Sequence, residues 1–292
     1  MSAPSVQGIS GGLSFNSFVN DCFTSLWGGT ANEKMNKSHI NEALDYFGRA
    51  SLLSSIDTPS VQRWVDILKK NGNANSTINR KLSALSVLLN HAVKCDYIQK
   101  APSIPRQKEG QGRIRFLTDT EETALLTLLS RWGRDDYVAY VRFLLYTGCR
   151  PGEALAIEWR DVVNGKVTFW KTKTDVPRTI PLTAQAKDSL AYTKSEGWAK
   201  PFSEIAYKSF ERTWERARNL LGFSDDPNFV PYCLRHTCAS RLVQRGVDIR
   251  RVKEWMGHAN ITMTMRYAHL AVDDLEVAMS ALEGSPKLVA IS

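Results

Sequence analysis

The sequence predicts a mainly α protein with one small antiparallel β-sheet, divided into two domains. Three observations carry that expectation. Apolar residues recur at helical spacing over most of the 292 residues, a short stretch near residue 165 alternates with period two, and a Pro-, Gly- and charge-rich run at 101–115 interrupts the helical pattern.

Residues 1–13 are expected to form a flexible N-terminus, followed by a helical domain over 14–100. Its first helix, in "SFNSFVNDCFTSL", places Phe15, Phe18, Val19, Cys22, Phe23 and Leu26 on one face. A second helix runs near 31–47. In the third, Thr58 reads as the N-cap and Pro59 as a first-turn residue, with Val61, Trp64, Val65 and Leu68 turned inward. The fourth, "STINRKLSALSVLLNHAV", buries Ile78, Leu82, Leu85, Leu89 and Val93. Its other face carries Asn79, Arg80, Lys81, Ser83 and Ser86. Such a face suits either solvent or the phosphates and base edges of a nucleic acid, because short polar and basic groups fit both.

Residues 101–115 read as an interdomain linker. Thr118 and Glu121 then form a capping box that opens a second domain over 116–271. Helices continue to about Tyr146. In "VVNGKVTFWKTKTDVPRTIPL" the period changes: Asn164-Gly165 signals a hairpin turn, and Val167 and Phe169 alternate with Thr168 and Trp170. Beyond Ser203 the chain is helical again, burying Phe210, Trp214, Ala217 and Leu221, with Lys208, Arg212 and Arg216 outside. The tail, 272–292, carries Val272, Leu275, Met279 and Leu282 as an apolar stripe. That stripe is expected to pack on its own domain or on a neighbouring protomer.

The totals exclude several classes. With 43% hydrophobic and 23% charged residues, the chain is globular rather than disordered. No apolar run approaches the ~18 residues of a membrane span, and no secretory leader is legible, so a cytoplasmic location is expected. The five cysteines form no CxxC pair, which fits reduced thiols rather than a disulfide framework. Formal charge is +8, shared evenly: 12 basic and 8 acidic residues up to Gly112, then 26 and 22. A polyanionic partner fits that balance, although basicity alone is a weak signal.

Four islands in the second domain hold groups suited to chemistry. "TGCRPGEAL" sets Arg150 between a helix-stopping Gly148 and Pro151, so its guanidinium joins free backbone N–H groups at a helix start, or pairs with Glu153. "WKTKTDVPRTIPL" places Lys173 at a β-turn tip. "PYCLRHTCASRL" carries Arg235 on a helix whose inner face is Leu234, Cys238 and Leu242, leaving the arginine facing outward to a ligand. In "MGHANITMTMRYAHL", Gly257 closes one helix at His258, and Asn260 or Thr262 caps a short helix carrying Tyr267, a residue that suits either a packed core or a nucleophile. Cys233, His236 and Cys238 are soft metal ligands close in sequence. On a helix, however, Cys238 leaves the face shared by the other two, so no metal site is expected.

In order and spacing these islands resemble the tyrosine recombinase (phage integrase) family. The family's arginine of a TGxRxxE-type motif corresponds to Arg150, with Glu153, and its β-turn lysine to Lys173. The arginine of its HxLRH-type motif corresponds to Arg235, the histidine of its LGH-type motif to His258, and the tyrosine nine residues later to Tyr267. One position departs: where the family carries its first histidine, this chain has Tyr232. The resemblance covers nearly the whole chain. It implies a two-domain DNA clamp, a helical core-binding domain followed by the recombinase catalytic domain. The chain starts its first helix near residue 14, leaving little room for the additional arm-binding domain of many phage integrases.

The resemblance also implies site-specific cleavage and rejoining of double-stranded DNA through a covalent 3′-phosphotyrosine. The reaction would run in a homotetramer through a Holliday junction, with no cofactor, metal or ATP, and an accessory DNA-bending protein as a further partner. Arg150 and Arg235 would meet the phosphate oxygens as permanently charged, bidentate donors, and His258 would add another. Tyr267 would be the nucleophile and Lys173 the general acid for the leaving 5′-oxygen. Glu153 would orient the arginines. A tyrosine is a poor base near neutral pH but still donates, so Tyr232 would act by hydrogen bonding and orientation. Asn79, Arg80, Lys81 and Ser83 would touch DNA. Two alternatives stay open: a type IB topoisomerase-like relaxing enzyme, and a non-catalytic DNA-binding relative.

Overall fold

The computed structural model describes residues 13–110, 114–170, 176–271 and 279. The chain forms two units, 1–111 and 112–292.

Among the described residues, the first unit holds four α-helices. Helix α1 (Phe15–Trp27) starts at Ser14, whose hydroxyl accepts from the Ser17 amide at 3.2 Å. Helix α2 spans Glu33–Phe47. Helix α3 (Thr58–Lys70) is capped one residue earlier than the sequence suggests. Asp57, rather than Thr58, accepts from the Ser60 amide, and Ser60 reciprocates to the Asp57 amide. The shift has a simple cause: Pro59 fits the first two helical positions, and Asp57 then has Ser60 three residues on to complete the box. Helix α4 (Asn75–Lys94) has no side-chain cap and depends on burial of Ile78, Leu82, Leu85 and Leu89 against Phe18, Leu44 and Trp64. Val93, expected inside, is half-buried.

The outer face expected of α4 is not what the fold presents. Asn79 and Lys81 are buried. The Lys81 ammonium donates to Glu42 Oε1 at 2.7 Å and to Asn73 Oδ1 at 2.9 Å. Asn79 donates to the Gln107 carbonyl and to Glu109, and accepts from the Gln107 amide. Ser83 accepts from Arg106 at 2.7 Å. The cause is the stretch expected as linker. It returns along α4, with Ile104 packed on the first core, while Ile114 packs within the second unit. Arg80 alone of the four stays exposed.

The second unit is arranged around α6 (Asp135–Thr147), which is buried on nearly all sides by α5 (Asp119–Arg131), α8 (Ala184–Ser195) and α10 (Cys233–Gln244). The Thr118–Glu121 capping box opens α5. Between α7 (Pro151–Ala156) and α8 lies a three-stranded antiparallel sheet: β1 (Val162–Val163), β2 (Lys166–Phe169) and β3 (Arg178–Pro181), in that order. Asn164 and Gly165 both have positive φ, 49° and 70°, the backbone a type I′ hairpin turn needs. Val167 pairs with Ile180 and Phe169 with Arg178, and all four are buried. Helix α9 (Tyr207–Leu220) buries Phe210, Trp214 and Ala217. Helix α11 (Ile249–Met256) and the single turn α12 (Thr262–Met265) follow. The apolar stripe expected in the tail lies outside the described residues, apart from an exposed Met279. No helix among the described residues is long and apolar enough to cross a membrane.

Lys81→Ala is expected to destabilise the protein by about 1–3 kcal/mol, because it removes a charge-assisted donor from a buried position and leaves Asn73 Oδ1 without its donor. Glu42 is partly solvated, which keeps the cost near the lower end. Urea unfolding of the variant checks this, and an unchanged midpoint would mean that water replaces the ammonium without loss.

Candidate active site

Two left-handed glycines shape the site. Gly148 ends α6 at φ 65°, and Gly257 ends α11 at φ 61°. Neither position has room for a side chain. A Cβ on Gly148 would lie 2.8 Å from Met256 Sδ and 2.9 Å from Cys238 Sγ, and one on Gly257 would lie 2.7 Å from Arg178 Cδ. Each glycine turns the chain sharply, so that Arg150 follows one helix end and His258 the other.

Arg235 joins the two turns. The sequence suggests an outward-facing arginine, but α10 is buried around most of its circumference and Arg235 is 2% exposed. Its two terminal nitrogens donate to the carbonyls of Gly148 and Met256. These are carbonyls at two helix C-termini, where unsatisfied oxygens and the negative dipole end favour a cation. Each terminal nitrogen still carries a second N–H. Burial and the charge of Arg150 lower the Arg235 pKa, but a guanidinium stays protonated at any physiological pH.

Arg150 stands at the start of α7, half-buried, with its Nη1 2.6 Å from Glu153 Oε1 and its amide donating to Glu153 Oε2. Glu153 is shared: Arg178 Nη2 lies 2.7 Å from the same Oε2. Burial pushes the Glu153 carboxyl up, but Arg178, with Arg150 adding to it, outweighs this and holds it below the usual range. Arg178 also donates to the Trp255 carbonyl and packs over the Phe169 ring. Arg178 therefore ties β3 to both Glu153 and the turn before His258. Nothing local in the sequence marks it, because its partners lie 25 and 77 residues away.

His258 is buried, with Nδ1 2.9 Å from Thr264 Oγ1. Burial first, then Arg235 and Arg150, depress its pKa to about 3. Tyr267 follows α12 and is 1% exposed, so the phenol is covered in the free protein. Burial raises its pKa to about 12, against the opposing pull of Arg235 and Arg266. Its hydroxyl lies 2.6 Å from His236 Nδ1. In the sequence His236 stands as the last residue of the HxLRH-type motif and as a rejected metal ligand, with no sign of its contact to Tyr267. Burial, Arg266 and Arg235 lower its pKa to about 4. Tyr232 precedes α10 and is 40% exposed, with its ring edge-on to His236 at 5.1 Å.

The site thus brings together Arg150, Glu153, Tyr232, Arg235, His258 and Tyr267, with Arg178 and His236 added. Lys173 lies outside the described residues. Three guanidiniums against one carboxylate give the cluster a positive excess suited to an anion. Among the described residues, no group of three His, Cys, Asp or Glu side chains comes together as a metal site.

His236 and His258 set a pH dependence of stability. Their folded-state pKa values are depressed, so the unfolded chain binds protons near pH ~6.5 that the folded protein refuses. Stability is complete above that pH and falls as pH drops from about 6.5 toward about 4 for His236 and about 3 for His258. Replacing either histidine by Gln is expected to lower the slope by up to ~1.4 kcal/mol per pH unit in this window. Urea midpoints measured across it provide the check. A slope unaltered in both variants would mean that neither ring is neutral in the fold.

Comparison with known proteins agrees with this geometry. Residues 115–273 match the model of the phage integrase family, and residues 37–94 match that of the phage integrase N-terminal SAM-like domain. The integrase of Haemophilus phage HP1 is 32% identical over 214 residues, covering 72% of this chain and 61% of the relative. The integrase of Escherichia phage P2 is 30% identical, with 73% and 60% covered, so the chain spans about three-fifths of the length of these two relatives. Tyrosine recombinase XerA of Saccharolobus solfataricus is 24% identical, with 89% of each chain covered. Among solved structures, the integrase of the transposon Tn1549 bound to transposon right-end DNA superposes with a TM-score of 0.78 at 18% identity, over 93% of this chain and all of the other. A lambda integrase from a tetramer bound to a Holliday junction gives 0.74 at 20% identity, over 90% of this chain and 79% of the other. The chain belongs to the phage integrase family.

Proposed function

We propose that the chain is a site-specific DNA recombinase that cleaves and rejoins strands through a covalent 3′-phosphotyrosine at Tyr267, without metal or ATP. The observation that carries this reading is the phenol of Tyr267 held in the field of a buried Arg235, in one cluster with Arg150 and His258. A phosphodiester under attack spreads negative charge over its equatorial oxygens. The guanidiniums of Arg150 and Arg235 meet that charge with donors fixed in advance by Glu153, Gly148 and Met256, so little reorganisation is needed during reaction. His258, neutral at physiological pH, adds a hydrogen bond rather than a charge.

Attack replaces one phosphate ester by another, so the bond energy is kept in the phosphotyrosine for rejoining. The cost lies in ionising the nucleophile. With a phenol pKa of about 12, full deprotonation at pH 7 costs roughly 7 kcal/mol unaided, at 1.36 kcal/mol per unit. The leaving 5′-oxygen must be protonated as well, the role proposed for Lys173. The first unit would grip the duplex as the core-binding domain, and four protomers would join two duplexes through a Holliday junction. The lambda integrase tetramer found on such a junction supports that extension. Of the α4 residues expected to touch DNA, the proposal keeps Arg80, whose side chain is exposed.

On a suicide substrate resolved by denaturing gel, the wild-type chain is expected to form a covalent adduct. Tyr267→Phe is expected to bind the same DNA and form none. Adduct at wild-type yield in that variant would assign the nucleophile elsewhere. Arg150→Ala and Arg235→Ala are each expected to slow single-turnover cleavage by at least ~10²–10³-fold. Arg80→Ala is expected to lower the salt slope of DNA binding by about one, the signature of one phosphate contact. An unaltered slope would return Arg80 to solvent.

A further inference from the structure

We propose that His236 is the general base for Tyr267, accepting the phenol proton at Nδ1 in place of the histidine that this chain lacks at position 232; this rests on the recombinase reading above. The geometry is direct. His236 Nδ1 lies 2.6 Å from the Tyr267 hydroxyl, within the reach a proton transfer needs. Arg235 and His236 are consecutive on α10, about 100° apart around its axis. One turn of helix thus sends Arg235 to the carbonyls of Gly148 and Met256, and His236 to the phenol. Tyr232 is one turn earlier on the same face, and its ring lies at 80° to the imidazole. A phenol is a poor base at neutral pH, so Tyr232 walls the imidazole instead of replacing the histidine.

The protonation states fit. Nδ1 accepts in the tautomer that carries its proton on Nε2. The charged groups facing His236 are Arg235 on its own helix and Arg266 after α12, with Tyr232 and Tyr267 as its polar neighbours. Burial, and after it both arginines, disfavour the imidazolium, so in the free protein the proton stays on the phenol and the nucleophile rests un-ionised. A DNA phosphate seated on the arginines offsets their field and raises the proton affinity of the imidazole. As the bond from Tyr267 Oη to phosphorus forms, the phenol proton passes to His236 Nδ1. The bond from phosphorus to the 5′-oxygen breaks, and that oxygen takes a proton from Lys173. Rejoining runs the same transfers backward, and His236 returns its proton to the phenol.

The test is single-turnover cleavage by the full chain on a suicide substrate, measured from the histidine range into alkaline pH, with DNA binding followed by gel shift. His236→Gln and His236→Asn are expected to bind DNA and to cleave ~10²–10⁴-fold more slowly than wild type. Their rates should climb with pH where the wild-type profile is flat, because hydroxide then takes the proton. A substrate with sulfur at the bridging 5′ position, whose leaving group needs no proton, should restore Lys173→Ala but neither His236 variant. Three results would overturn the inference: wild-type rate and profile in both variants, a slower rate with the wild-type pH profile, or restoration by the sulfur substrate. Absence of adduct from the wild-type chain is a different outcome, since it removes the recombinase reading itself.

Discussion

A guanidinium buried between two helix C-termini is the constraint on which the catalytic unit depends. An isolated buried charge costs several kcal/mol, so Arg235 is tolerable only with good partners. It finds them in the carbonyls of Gly148 and Met256, which belong to turns made by the two left-handed glycines. The same contacts bring the residues after those turns, Arg150 and His258, to one place. Arg178 repeats the arrangement from the sheet side, holding Glu153 and the Trp255 carbonyl. Stability and site geometry are therefore one network, and the positive excess needed for phosphate is held by bonds that also fold the unit.

Much of this was legible in the sequence wherever the cause was local. Gly148, Gly257, the Thr118–Glu121 box and the Asn164-Gly165 turn are short-range signals, and each stands where it was expected. The order of Arg150, Arg235, His258 and Tyr267 marked the family. Arg178 was not legible as a site residue, because its partners lie tens of residues away; His236 closes the HxLRH-type motif, but its contact with Tyr267, 31 residues on, has no local signal. On α4 the error was one of weighting. Lys81 is three residues after Ile78 and four before Leu85, which puts it on the apolar stripe, yet its charge was read as a sign of the outer face. Asn79 was misread for another reason: a segment expected as linker lies over it.

The phenol of Tyr267 is held un-ionised in the free protein. Tyr267 is covered and its phenol raised by burial, while His236 and His258 are held toward the neutral state first by burial and then by nearby arginines, Arg266 and Arg235 for the one and Arg235 and Arg150 for the other. Arg235 acts on all three groups, after burial. On the proposed reading, a phosphate seated on it would offset part of that field.

The long reach of the Arg235 contacts also bears on the order in which the chain is made. Domains begin to fold as they leave the ribosome, N-terminal parts first. Gly148 emerges well before Arg235, but the second carbonyl, that of Met256, comes 21 residues after it. Until then α10 carries a guanidinium with half its support, and its burial is not secured. Tyr267 follows eleven residues later still. A nascent or truncated chain can therefore carry Arg150 and Arg235 without Tyr267. The last support of Arg235 and the phenol beside His236 thus arrive almost together, so on the proposed reading strand cleavage waits for the folded unit.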